Sequence, residues 1–222
     1  MKQGTLFEEP PKNSTCSGSS VERLVRPVHV SKVREFIEKH HYSGSINGCK
    51  ISQCYALYIG GDLAGAMLFG ELSTTAWKKY GENEKDVVEL RRMVTLDSCP
   101  KNTGSVFISK ALKHLKKTAG YKVCISYADP FHGHVGFVYQ ASNWSFLGKT
   151  PKDRLLLTPE GRYYHSRALR TKYKGDYKPF AKRLRKMQED GLLKEVVTPG
   201  KYIYQYHLTG KQIVSGLPYP KA

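Results

Sequence analysis

Apolar residues recur along the chain in short runs separated by polar segments rich in glycine and proline. Val33, Phe36 and Ile37 have the i, i+3, i+4 spacing of one face of a helix. Two apolar runs, 53–59 and 63–69, are joined by a Gly-Gly-Asp turn, a combination typical of a β-hairpin. The first part of the chain therefore predicts a short helix followed by two antiparallel strands.

The next part of the chain predicts alternating strands and helices. A strand is expected over 87–96, a helix over 106–115, a buried strand over 122–127, a helical turn over 135–141 and a strand over 143–148. This order predicts an α/β fold in which a mixed, mainly antiparallel central sheet is flanked by helices. No internal repeat is seen.

The net charge of the chain indicates which class of partner it binds. The chain of 222 residues carries 36 Lys and Arg against 19 Asp and Glu, a formal charge of +17, and such a field attracts polyanions, nucleic acid first among them. Neither a signal peptide nor an apolar stretch long enough to cross a membrane is present, and the five cysteines contain no C-x-x-C pair. The sequence predicts a soluble cytoplasmic protein without a disulfide framework or a structural zinc site.

Three regions are predicted. Residues 1–22 lack periodicity and indicate a flexible arm, 23–150 form the catalytic core, and 151–222 form a basic, Tyr-rich C-terminal segment packed on the core. Within 151–186, twelve basic residues face three acidic ones, and interleaved tyrosines favour a DNA-binding surface. The alternative is a solvated basic surface with core tyrosines. The predicted DNA contacts in this segment are Lys152, Arg154, Arg167, Arg170 and Lys172.

A carboxylate and two histidines follow the buried strand. Asp129 comes just after the strand end, where open α/β sheets place ligands, although a turn Asp before Pro explains it equally well. His132 and His134 could join Asp129, together with His40 or His41, around a metal ion, and we assign His41 to this set; the alternative is that they simply face solvent.

The loop before the central helix is a second candidate site. Backbone N–H groups at this helix start could cradle a pyrophosphate. The predicted cofactor contacts here are Lys101, Asn102, Thr103, Gly104 and Ser105. The order of loop, helix, strand and Tyr139-bearing helix resembles the acyl-coenzyme A dependent N-acetyltransferase superfamily (GNAT). The loop keeps only Gly104 and Ser105 of that superfamily's R/Q-x-x-G-x-G/A pattern.

Five motifs in this order resemble the phage Mom family of DNA-modification proteins. They are Glu89-Leu90-Arg91-Arg92-Met93, Asn102-Thr103-Gly104-Ser105, Ser126-Tyr127-Ala128-Asp129-Pro130, Gly133-His134-Val135-Gly136 and Tyr139-Gln140-Ala141-Ser142-Asn143-Trp144. The resemblance spans about residues 25 to 170, and the string from Ser126 to Trp144 is its most specific part.

The resemblance implies a GNAT-like enzyme that converts adenine N6 in DNA to an N6-carbamoylmethyl (acetamido) derivative, which shields phage DNA from host restriction. The residues that match the family's functional positions are His41, Tyr42, Arg91 or Arg92, Asp129 and Tyr139. The resemblance also implies iron as a cofactor and an acyl-CoA-type or other small-molecule donor. The partner would be double-stranded DNA in the host cytoplasm, and a homodimer is left open.

The residue types fit this chemistry. Asp129 could accept a proton from N6, Tyr139 could donate to the leaving group, and an arginine could hold an anionic donor. Arg91 and Arg92 are consecutive on a strand, so we expect only one to reach the site; Arg91 is assigned to catalysis and Arg92 to the cofactor. An extruded adenine needs aromatic walls, for which we predict Tyr42, Tyr55 and Trp144.

Two other functions compete with DNA modification. The protein could be an acyl-CoA-dependent N-acyltransferase acting on a small amine or a protein, its basic charge serving only the coenzyme A phosphates. It could also be a basic DNA-binding or host-takeover protein without chemistry, in which case Asp129, His41 and Tyr139 would be dispensable.

Overall fold

The computed structural model describes residues 22–72, 75–210 and 216–221. The predicted arm, 1–22, lies outside the described residues except for Glu22. The strands are β1 Arg23–Pro27, β2 Ile51–Ile59, β3 Asp62–Gly70, β4 Val87–Thr95, β5 Val123–Ala128, β6 Ser145–Lys149, β7 Asp153–Leu157, β8 Tyr163–His165, β9 Lys172–Tyr173, β10 Asp176–Tyr177, β11 Lys194–Thr198 and β12 Tyr202–His207. The α-helices are α1 Arg34–His40, α2 Thr103–Thr118, α3 Phe137–Gln140 and α4 Pro179–Glu189.

The central sheet has seven strands in the order β1-β2-β3-β4-β5-β12-β6. Among the described strands only β4 and β5 pair in parallel, and every other neighbouring pair is antiparallel. The predicted α/β class with a mixed, mainly antiparallel sheet is therefore confirmed. The predicted hairpin is also confirmed as β2 and β3.

Both faces of the sheet are covered, which explains why its central strands are apolar without alternation. Tyr55 and Leu57 of β2 pack towards α2, whereas Cys54 and Ala56 pack towards α1. The largest side chains of the first cluster, among them Phe107, are fully buried. Each such side chain contributes about 1.5–3 kcal/mol through burial.

The basic segment is an insertion rather than a C-terminal extension. The chain leaves the central sheet after β6 and returns as β12, which lies between β5 and β6. The intervening residues form a three-stranded sheet, β11-β7-β8, the β9–β10 hairpin and α4. The predicted core boundary at residue 150 is therefore wrong, because Tyr202–His207 supplies a core strand that bonds to two neighbours.

Among the helices that the structure describes, none has the length and apolar character needed to cross a membrane. The four described cysteines, Cys49, Cys54, Cys99 and Cys124, are free thiols.

Candidate active site

A cavity of about 460 Å³ opens where β4 and β5 separate. The two strands pair from Val87 to Leu90 and from Val123 to Ser126, but β4 continues to Thr95 and β5 to Ala128. The second halves diverge and leave one edge of β4 facing the gap. The cavity is lined by residues of this edge, of the loop after α1, of the loop after β5 and of α3, together with Gly104 of α2.

Asp129 lies at the end of β5 and is only 7% exposed. Its Oδ1 accepts a hydrogen bond of 3.1 Å from the N–H of Phe131, so it caps the turn that follows, as a turn Asp before Pro does. Its Oδ2 lies 3.0 Å from the ammonium nitrogen of Lys201. The carboxylate is thus held at two points and lines the cavity.

Tyr42 forms the wall beside this carboxylate. Its ring centroid lies 4.3 Å from that of His41, 4.4 Å from that of His132 and 5.1 Å from that of His134. The side chain is nevertheless 48% exposed. The loop after α1 and the loop after β5 therefore meet through stacked rings, and the partly exposed Tyr42 lines the cavity.

His41 is held in its neutral form. Burial lowers its pKa from the usual 6.5 to about 4, and the positive charges of Arg92, His134 and His132 act in the same direction. Its Nδ1 accepts a hydrogen bond of 3.1 Å from the N–H of Ser43. An accepting Nδ1 leaves the proton of a neutral imidazole on Nε2, so His41 can offer a hydrogen-bond donor rather than a base.

This perturbation predicts a pH effect on stability. Between about pH 4 and 6.5 the unfolded chain protonates His41 and the folded chain does not, so His41 lowers the free energy of unfolding as the pH falls through this window. We expect His41→Gln to lose less stability than the wild type between pH 6.5 and 4.5. Urea unfolding at several pH values measures this, and identical pH slopes for the two proteins would contradict the assignment.

The two arginines of β4 have different surroundings. Arg91 is the extra residue of a β-bulge, since Leu68 faces Arg92 and Phe69 faces Leu90. The guanidinium of Arg91 donates to the carbonyl of Glu71 and lies 3.3 Å from the carboxylate of Glu89.

Arg92, in contrast, donates to the carbonyl of Ser45, and its charge acts on His41 and Tyr42. The expectation that only one of them reaches the site is wrong, because the bulge breaks the alternation and both arginines line the cavity. Arg92 is the one whose charge acts on His41 and Tyr42.

Tyr139 lies on α3 with its hydroxyl 2.7 Å from that of Ser126 on β5. The residue is buried, and burial raises its pKa above the usual value of 10. The phenol therefore stays protonated at neutral pH. Tyr139 and Asp129 both line the cavity, so a protonated phenol and a carboxylate belong to the same site.

The start of α2 contributes less than the sequence predicts. Gly104 lines the cavity, whereas Lys101, Asn102, Thr103 and Ser105 are absent from its described lining. The hydroxyl of Thr103 instead donates to the carbonyl of Pro100 and accepts a hydrogen bond from Arg23. Ser105 donates to the carbonyl of Asn102. Four of the five predicted cofactor contacts in this loop thus lie outside the cavity, two of them with hydroxyls that close the loop on itself.

Two predicted walls for an extruded base are wrong. Tyr55 and Trp144 are both 0% exposed and belong to the main core cluster. Tyr55 contacts His114 of α2 through its hydroxyl, so it packs under the sheet. The structure instead places Phe137, which is 60% exposed, on the cavity wall. An apolar residue directly after Gly136 is the signal that sequence reasoning missed.

The four predicted metal ligands do not fit a metal ion. The structure contains, among its described residues, no group of three or more His, Cys, Asp or Glu arranged to hold one. One oxygen of Asp129 faces the Lys201 ammonium, and Nδ1 of His41 is occupied by Ser43. His132 and His134 are exposed and stack on Tyr42. The nearby charges of Lys201 and Arg92 would also repel a cation.

The insertion presents a basic surface. All five of its predicted DNA contacts, Lys152, Arg154, Arg167, Arg170 and Lys172, are exposed. The insertion also reaches the site loop, since the ring of Tyr163 on β8 lies 5.3 Å from that of Phe131.

Solved structures of acetyltransferases are similar to this chain. An N-acetyltransferase from Staphylococcus aureus Mu50 is similar over 85% of this chain and 99% of its own, with 14% identity and a TM-score of 0.47. NAA60 of Arabidopsis thaliana, solved with acetyl-CoA, is similar over 85% of this chain and 100% of its own, with 10% identity and a TM-score of 0.48.

The sequence comparisons are more specific. The methylcarbamoylase Mom of Escherichia phage Mu is 29% identical over 153 residues, which are 66% of this chain and 61% of that protein. The chain therefore spans about three fifths of the length of this relative. The family model of the Mom protein family matches residues 22–221, nearly the whole chain. This protein belongs to the Mom family.

Proposed function

We propose that this protein modifies the N6 amine of adenine in DNA, with N6-carbamoylmethyl adenine as the product. The observation that carries the proposal is the membership of the Mom family together with one cavity that gathers Tyr42, Arg92, Asp129 and Tyr139. The named activity of the phage Mu relative, methylcarbamoylase, supports the same class. The modified DNA would be phage DNA in the host cytoplasm, protected from restriction.

The proposed reaction needs a proton acceptor and a proton donor. The lone pair of N6 forms a bond to a carbon of the donor, and the bond from that carbon to the leaving group breaks with its electrons. Asp129 accepts the proton lost from N6, and the protonated Tyr139 supplies one to the leaving group. Arg92, rather than Arg91, holds the negative charge of the donor, because the carboxylate of Glu89 neutralises Arg91. The guanidinium of Arg92 donates to the backbone carbonyls of Ser45 and Arg91, which leave its charge in place.

The adenine would enter the cavity after leaving the DNA helix, because N6 takes part in base pairing. Tyr42 and Phe137 are exposed aromatic residues on the cavity wall and replace Tyr55 and Trp144 as stacking surfaces. Base–aromatic stacking contributes about 1–3 kcal/mol per base. His41 offers its Nε2–H at the same wall as a hydrogen-bond donor.

The backbone of double-stranded DNA would lie on the basic insertion. Its exposed lysines and arginines are suited to phosphate contacts, which fix the register of the protein without reading sequence. Contacts of the insertion with the site loop, such as that between Tyr163 and Phe131, keep this surface next to the cavity.

The donor would be of the acyl-CoA type or another small molecule. A thioester gives N6 its carbonyl carbon and would form an N6-acyl product, so the carbamoylmethyl product needs a donor whose leaving group departs from the CH₂ carbon. The described residues at the start of α2 include no side-chain cap, and the N–H of Thr103 donates to the carbonyl of Pro100. The following N–H groups, of Gly104 and Ser105, are therefore the ones suited to an anionic phosphate. Gly104 serves packing here as well, since a Cβ at this position would lie 3.2 Å from Cγ2 of Val138. The exposed Asp97 lines the same end of the cavity and opposes a phosphate there.

The test is mass spectrometry of nucleosides digested from plasmid DNA of bacteria that express the protein. We expect a heavier deoxyadenosine in these cells and not in cells with an empty vector. The mass difference identifies the added group.

A second measurement distinguishes the competing functions. Unmodified DNA together with acetylation of a small amine or a protein by acetyl-CoA would replace the proposal with an ordinary acyltransferase. Unmodified DNA with salt-sensitive DNA binding and no acyl transfer would indicate a DNA-binding protein without chemistry.

A further inference from the structure

We propose that Lys201 is a positioning residue for Asp129. The hydrogen bonds that join the two ends of the insertion place Lys201 beside this carboxylate. The proposal rests on the proposed function and adds to it a residue from the far end of the insertion. Lys201 lies 72 residues after Asp129 in the sequence and follows the last strand of the inserted sheet. No motif of the chain includes it.

The two ends of the insertion are tied together at Lys201. The N–H of Thr150 donates to the carbonyl of Lys201 at 2.9 Å, and the N–H of Lys201 donates to Oγ1 of Thr150 at 2.9 Å. Gly200 permits this approach, because a Cβ there would lie 1.7 Å from the carbonyl oxygen of Thr150. A chain of about fifty residues therefore leaves and re-enters the core at one fixed point.

The strand register then brings Lys201 to Asp129. Tyr202 pairs with Ala128 in the antiparallel β12–β5 ladder, so the residue before Tyr202 faces the residue after Ala128. The Lys201 ammonium lies 3.0 Å from Oδ2 of Asp129, while Oδ1 is bonded to the N–H of Phe131.

These two contacts fix the plane of a carboxylate that is almost fully buried. Each oxygen keeps a second lone pair, which can meet the N6–H of adenine. Lys201 thus acts through Asp129 and contacts neither the base nor the donor in this role.

The decisive variants are Lys201→Ala and Lys201→Arg, with Lys113→Ala as the control. Lys113 is an exposed lysine of α2, outside the insertion and the cavity lining, so its loss removes one positive charge and leaves the site and the basic surface unchanged. We expect Lys201→Ala to lower kcat about 100-fold with little change in the KM for DNA, because a carboxylate that shifts by about 1 Å loses such a factor. Lys201→Arg should keep most of the activity, and ethylammonium should restore part of it to Lys201→Ala.

Two results would overturn the proposal. The first is an unchanged kcat in Lys201→Ala. The second is that the whole loss of kcat/KM in Lys201→Ala comes from a rise in the KM for DNA and that ethylammonium does not restore activity. Lys201 would then be a contact to a DNA phosphate.

The ion pair can also be tested without activity. We expect unfolding of Asp129→Asn, Lys201→Ala and the double variant to be non-additive. Additive effects on stability would show that Asp129 and Lys201 do not interact, and the proposed ion pair would be rejected. If the two substitutions are coupled in stability but the protein modifies no DNA, the ion pair is confirmed and the proposed function is rejected.

Discussion

Asp129→Asn is expected to lower the rate of adenine modification by about 10²–10⁴-fold, the range that loss of a general base costs. The amide has nearly the shape of the carboxylate and can still accept the N–H of Phe131, so the turn after β5 should keep its cap. What it loses is the ability to accept a proton from N6. Nucleoside mass spectrometry measures the modification, and fluorescence anisotropy with labelled duplex DNA measures the binding.

The matched control is Asp62→Asn, which changes an exposed carboxylate in the β2–β3 turn. We expect this variant to modify DNA at the wild-type rate. DNA affinity should stay close to wild type in both variants. Thermal stability should stay at wild type in Asp62→Asn, whereas Asp129→Asn also loses the ion pair with Lys201 and should be somewhat less stable. If Asp129→Asn modified DNA as fast as the control, Asp129 would be a turn residue and the proton acceptor would lie elsewhere.

Gly136→Ala is expected to cost about 3 kcal/mol of folding free energy. Gly136 has φ of 87°, where a residue with a Cβ is strained by about 1–2 kcal/mol. A Cβ at this position would also lie 2.4 Å from Cε2 of Tyr204. Tyr204 cannot move aside easily, because it is fully buried, donates to the carbonyl of Val135 and accepts from Gln140 at 3.1 Å.

Gly133→Ala separates the two causes of this loss. Gly133 has φ of 76°, but no described atom lies within 4 Å of the position its Cβ would take. This control should lose only the backbone strain, about 1–2 kcal/mol. Thermal unfolding should show a Tm lower by about 6–12 °C for Gly136→Ala and by about half as much or less for Gly133→Ala. Equal losses would show that the contact with Tyr204 adds nothing.

Gly136→Ala should also change the geometry of the active site. Gly136 precedes α3, which carries Tyr139 and Phe137 to the cavity. A shift of α3 away from Tyr204 would move the hydroxyl of Tyr139 relative to Ser126 and Asp129. We therefore expect Gly136→Ala to lose activity even at a temperature where it is fully folded, whereas Gly133→Ala should lose less.

Local sequence signals predicted the parts of the site that short stretches of chain determine. The Gly-Gly turn predicted the β2–β3 hairpin, and the apolar strand before Asp129 placed a carboxylate at a strand end. The cavity lining includes His41, Tyr42, Arg91, Arg92, Asp129 and Tyr139, which the resemblance to the Mom family implied together.

Other predictions failed where an irregularity in strand pairing, or a contact between residues far apart in the chain, determines the position of a side chain. The alternation of residues along β4 could not reveal the bulge at Arg91, because the bulge depends on how β3 pairs with β4. The bulge leaves Arg92 beside His41. Tyr55 and Trp144 have the residue types of a stacking wall, but the helices on the sheet bury them completely. Burial is a property of everything that packs around a residue, so composition cannot assign it.

The sequence by itself determined the family, the α/β class, the basic charge and the order of the motifs. The tertiary structure alone decided that the basic segment is an insertion, because β12 returns to the space between β5 and β6. It also decided that Lys201 faces Asp129. Both results depend on hydrogen-bonded register between strands that are far apart in the chain, and such pairing is selected by the packing of the whole sheet rather than by its local sequence.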